Sequence, residues 1–151
     1  MQATIERIEK HAKIIQSGEH ESVRPGQPWE FSAACEPGDG CWQGDLGIEI
    51  VEAVPAGYVE VVNPTEDDRQ LVPGNTEGSK HCLDSLSGVK MYRPEEWDEE
   101  SLRGPCLVLT EERKVLHPTH GPVTVPAGLT ILCRYQREWD KELVKERRTR
   151  D

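Results

Sequence analysis

The sequence predicts a mainly β protein: a small β-sandwich or open barrel of short antiparallel strands, with an amphipathic helix at its N-terminus and a charged tail at its C-terminus. Three observations predict this class. Apolar and polar residues alternate with period two in several short stretches, which puts one set on a buried sheet face. Those stretches recur at regular intervals, divided by Gly and Pro. Before them, apolar residues recur at helical spacing in one place only, near the start of the chain.

In the first segment, residues 1–20, Ile5, Ile8, Ala12 and Ile15 recur at spacings of three and four, with charged residues on the other face. That is the pattern of a surface helix, and Gly18 ends it. Residues 21–41 are rich in Pro and Gly (Pro25, Gly26, Pro28, Pro37, Gly38, Gly40) and read as a linker or a pinned loop. Cys35 and Cys41 flank five residues there, a separation that fits neither a zinc knuckle nor a redox Cys-x-x-Cys pair.

A β domain is expected over residues 42–140. Leu46, Ile48 and Ile50 alternate along one strand, Val54-Pro55-Ala56-Gly57 turns the chain, and Tyr58 to Val62 reads as the return strand. Val89 to Tyr92 and Cys106 to Thr110 are further strands. Between them Glu95, Glu96, Asp98, Glu99 and Glu100 surround Trp97, the pattern of a solvated surface and not of a calcium loop. The clearest signal lies between His117 and Trp139. Val123 and Val125 form one strand, Pro126-Ala127-Gly128 a turn, and Leu129, Ile131, Cys133 and Tyr135 repeat on one parity, so a β-hairpin is expected. Residues 141–151 carry five basic residues against three acidic ones and almost nothing apolar, which reads as a frayed helix or a disordered tail.

Composition narrows the function classes. The chain of 151 residues suits one domain with a modest core, its mean hydropathy is -0.67, and it has no apolar run long enough to span a membrane and no secretory signal. A formal net charge of -10 argues against duplex DNA as a partner. Five cysteines, an odd number without a signal peptide, suggest reduced thiols in a cytoplasmic setting. Cys133 and Cys106 read as small core residues.

Five histidines stand in the chain, and three of them, His81, His117 and His120, precede strands in the β region. Loops meeting at one rim would let these imidazoles converge on a zinc-like ion. Three ligands would leave a position open to water, whereas Cys82 as a fourth ligand would close a structural site. A nucleophile pair of Cys82 and His120 has no supporting context. No hydrolase elbow, P-loop or dinucleotide fingerprint is present.

From Trp42 to Trp139 the chain carries Gln43-Gly44-Asp45, Pro55-Ala56-Gly57, Gly78-Ser79-Lys80-His81, His117-Pro118-Thr119-His120, Val125-Pro126-Ala127-Gly128 and Tyr135-Gln136-Arg137-Glu138-Trp139. In these motifs it resembles a family of small uncharacterised phage and bacterial β-rich proteins. Ser79 stands where that family carries a first histidine, and Thr119 where it often carries an acidic residue. The resemblance implies a compact β domain and a phage or mobile-element setting, with no activity attached.

Two functions are therefore expected. One is a zinc-like site at His81, His117 and His120, either with three ligands or with Cys82 added as a fourth. The other is a non-catalytic interaction or self-assembly module that uses the N-terminal helix, the acidic surface and aromatics such as Trp29 or Trp97 on a protein partner. A weaker expectation is RNA contact through Arg134, Arg137 and the basic tail, with Tyr135 or Trp139 stacking on bases.

Overall fold

In the computed structural model, residues 20–96, 101–140 and 145–148 are described. The helix expected before residue 20, Trp97 and the rest of the acidic run to residue 100 lie outside them. The described residues form thirteen strands, in order: β1 (Glu21–Ser22), β2 (Trp29–Glu30), β3 (Gly40–Gln43), β4 (Leu46–Val51), β5 (Tyr58–Glu60), β6 (Cys82–Leu83), β7 (Val89–Pro94), β8 (Arg103–Leu109), β9 (Arg113–Leu116), β10 (Val123–Val125), β11 (Thr130–Tyr135), β12 (Arg137–Asp140) and β13 (Lys145–Arg148). Two single 3-10 turns, Glu66–Arg69 and Glu77–Ser79, interrupt them.

The larger sheet runs β1-β3-β4-β11-β8-β7-β5 and the smaller β2-β10-β9-β6. Both are mixed, because β1 runs parallel to β3 and β2 parallel to β10. Neither closes into a barrel among the described residues. Alternation along β4 and β11 sends Leu46, Ile48, Ile50, Ile131 and Cys133 inward; Val115, Val123, Val125 and Leu83 come from the smaller sheet, and all of them join one apolar cluster. Fully burying each aliphatic side chain of this kind contributes about 1.5–3 kcal/mol. Cys106 and Cys133 are wholly buried, and burial pushes their thiols up to about 11 and about 12.

Two expectations about pairing are corrected. The stretch 123–135 does contain two strands, but they are not a hairpin: β10 belongs to the smaller sheet and β11 to the larger, where it lies between β4 and β8. Pro126-Ala127-Gly128 is a corner between sheets, with Gly128 at φ +88°. Nor is β5 a return strand beside β4. It pairs with β7 at the far edge of the larger sheet.

The Pro- and Gly-rich segment is pinned along much of its length. Val23 N–H donates to Trp42 O (2.8 Å), Gly26 N–H to Thr119 O (3.0 Å), Trp29 N–H to Pro122 O (2.9 Å) and Phe31 N–H to Thr124 O (3.1 Å). Trp29 packs on the core and meets Phe31 edge to face, ring centroids 4.6 Å apart, so it is not an exposed contact aromatic. The tail also departs from a frayed helix or disorder: Lys145–Arg148 pairs antiparallel with Arg137–Asp140.

Where the pinned segment crosses the 117–122 loop, the backbones nearly touch. A Cβ built on Gly121 would overlap the carbonyl of Gln27. Gly121→Ala should therefore cost about 2–3 kcal/mol or more, by the cost of overpacking a rigid contact, read as a lower urea midpoint at unchanged slope.

Candidate functional site

The site begins at the turn between β3 and β4. Gln43 pairs with Leu46, leaving Gly44 and Asp45 as a two-residue hairpin loop. Gly44 has φ +60°, and among the described residues Asn63 is the sole non-glycine with positive φ. A positive first position followed by a negative second is the pattern of a type II′ turn, which favours Gly first. The turn carries Gln43 and Asp45 into the interior, where both are buried.

The second contribution is His81, which follows the 3-10 turn Glu77–Ser79. Register delivers the third. Cys82 pairs with Leu116 and Leu83 with Val115, so the next step along the ladder sets His81 opposite His117. Their rings stand 4.3 Å apart between centroids, and the His117 ring is 4.8 Å from that of His120 in the same loop. The three imidazoles expected to meet do lie side by side. Cys82 does not join them: alternation turns it to the other face of β6, opposite half-exposed Leu116. Ser79 is buried in its own turn, against Thr76 Oγ1 at 2.8 Å.

The hydrogen bonds fix the protons. Gln43 Nε2 donates to Val115 O and Gly121 O, both at 2.9 Å. Two carbonyl partners settle which end of the amide is nitrogen, so Oε1 faces His81 Nδ1 at 2.8 Å and must accept from it. His81 Nε2 lies 3.0 Å from Asp45 Oδ1, and a proton has to sit between them as well. Whether written as imidazolium and carboxylate or as imidazole and carboxylic acid, the pair is neutral as a unit. That is the condition under which a histidine of 0% exposure is tolerable.

His117 is in the opposite state. Its Nδ1 accepts the N–H groups of Thr119 and His120, each at 3.2 Å, so it carries no proton, and its Nε2–H donates to Gly78 O at 3.0 Å. Burial lowers its pKa below the ordinary 6.5; neighbouring His81 and His120 add to that fall, while the Gly78 carbonyl and Asp45 oppose it. His120 is the member with unused capacity, since its Nδ1 is buried without a hydrogen-bond partner. Its ring covers Gly44, where a Cβ would come within 2.7 Å of Nε2.

A family model described as a domain of unknown function, DUF8820, matches residues 42–136. The chain belongs to DUF8820. The matched span holds every residue of this centre and omits the pinned segment before it. No curated protein and no solved structure matches the chain.

In this DUF8820 domain, no group of three or more His, Cys, Asp or Glu among the described residues is arranged to hold a metal. Of the expected ligands, His81 and His117 have their ring nitrogens bonded within the protein, and Cys82 lies on the other face of β6. Two of the residues expected to touch RNA lie among those whose side chains are described, Arg134 and Tyr135. Arg134 Nε donates to Glu49 at 2.7 Å, and Tyr135 is buried with its hydroxyl donating to Leu71 O. Gln43 and Asp45 were the residues that site reasoning missed. Their signal is a polar-Gly-polar triplet set between two apolar-patterned strands.

Gln43→Ala would take the amide donor from the Val115 and Gly121 carbonyls and leave the His81 Nδ1–H without its acceptor in the core. A loss of about 2–3 kcal/mol is expected in urea unfolding, at about 1–3 kcal/mol per orphaned group. The pH dependence follows from His117. Its folded pKa lies below the unfolded value, so the unfolded chain takes up the proton first. Stability should be flat above the unfolded value of 6.5 and fall as pH drops from there toward the lowered folded value. Thermal unfolding across that window checks it.

Proposed function

We propose that this protein is a non-catalytic binding module in which the histidine centre is a structural latch, and that its acidic surface receives a basic protein partner. The observation that carries the reading is the occupancy of the ring nitrogens. All four on His81 and His117 are bonded within the protein, so neither ring offers a lone pair to a substrate or an ion. A general base needs a free lone pair within hydrogen-bond reach of the proton it removes. The latch joins three separate connections: the Gln43–Asp45 turn, the residues before β6, and the 117–122 loop.

The net charge of -10 supports a basic partner, and exposed Glu21, Glu30, Glu52, Glu60, Glu66 and Asp67 place acids on several connections and edges. Such a surface steers encounter and sets specificity more than it supplies affinity.

The rival is a zinc ion shared by His81, His117 and His120. It requires His81 to release Gln43 or Asp45, and His117 to release Gly78 or the two N–H groups. Tag-free protein titrated with zinc separates the two readings. The latch reading expects no stoichiometric uptake and an unchanged Tm with zinc or chelator. One tightly held equivalent that raises Tm would overturn it.

A further inference from the structure

We propose that the loop from His117 to Pro122 is an acid-released latch: a proton placed on His117 Nδ1 ejects the two backbone N–H groups it holds and frees the loop together with the Pro25–Trp29 segment laced to it. This rests on the structural-latch reading above and adds a regulation to it.

The geometry makes His117 a two-state element. As a neutral ring it closes the loop on itself by accepting from Thr119 and His120, with the Thr119 hydroxyl 3.3 Å away. As an imidazolium it would present N–H to N–H at that atom, and both contacts would be lost. The Nε2–H bond to Gly78 O is compatible with either state, so the ring stays anchored to the 3-10 turn while the loop lets go. Loop and segment then part as one unit, because they are bonded to each other: Gly26 N–H to Thr119 O, Gly121 N–H to Arg24 O at 3.3 Å, and Trp29 N–H to Pro122 O. Behind them lies the buried Asp45–His81 pair.

The titratable groups facing His117 come from each element around it. His81 stands across the ladder, Asp45 reaches in from the β3–β4 turn, and His120 belongs to the same loop. In the turn that supplies Gly78, Glu77 is exposed and the Lys80 ammonium is tied to Gln70 Oε1 at 3.3 Å.

Hydrogen exchange on the full chain between pH 7.5 and 5, corrected for intrinsic rates, reads the release at the amides of Gly26, Trp29, Thr119, His120 and Gly121. Protection should fall by up to about tenfold per pH unit below 6.5 until the folded value of His117 is reached. In His117→Asn the side-chain oxygen replaces Nδ1 as acceptor but cannot be protonated, and protection should become flat with pH. The same fall in His117→Asn would assign the response to Asp45, His81 or His120 and overturn the proposal. Should that variant not fold, wild-type NMR decides: the Thr119 and His120 amides must titrate with the midpoint of the His117 ring, and a separate midpoint or no titration overturns it. Zinc uptake would overturn the latch reading, whereas flat wild-type protection would overturn only its regulation by acid.

Discussion

An imidazole sealed from water must find a partner for each of its nitrogens, and in this protein that requirement organises three distant stretches of chain. His81 takes one partner 38 residues away and the other 36 residues away, both from a single tight turn. Gln43 accepts from His81 through Oε1 and donates its two amide hydrogens to Val115 and Gly121, one at either end of the loop that carries His117 and His120. Each bond is modest taken singly, at about 1 kcal/mol net, but losing the turn would strand the buried nitrogens of His81. The small residues follow from the same crowding. Gly44 makes room for His120, and Gly121 lets two backbones come into contact.

Much of the scaffold was legible in the sequence, and the reasons for the rest are physical. Alternation located β4 and β11 and named their inward faces, with Leu132 buried in addition because β11 lies inside the larger sheet. What alternation does not carry is the identity of the neighbour. Strands on opposite walls of one core point the same parity inward, so β10 and β11 look like a hairpin on paper while lying in different sheets. The turn residues Pro126 and Gly128 serve a corner as well as they serve a hairpin.

The site divides in the same way. Histidines preceding strands were enough to suggest that His81, His117 and His120 share a rim, and ladder register supplies the reason. The roles of those rings were not legible, since they depend on a carboxylate and an amide supplied from far along the chain. A residue's partners across such a distance leave no local pattern. Composition could name imidazole as a ligand type, but only geometry shows what the ring nitrogens of His81 and His117 are bonded to.

The pinned segment before residue 42 has a consequence for where the folding unit ends. β2 is the outer neighbour of β10, and Trp29 and Phe31 pack with the core. An excision following the family boundary at residue 42 would strip that strand, leaving the backbone of Val123–Val125 without its parallel partner. A bare apolar strand edge is a template for other chains, so the trimmed domain would be prone to edge-to-edge aggregation.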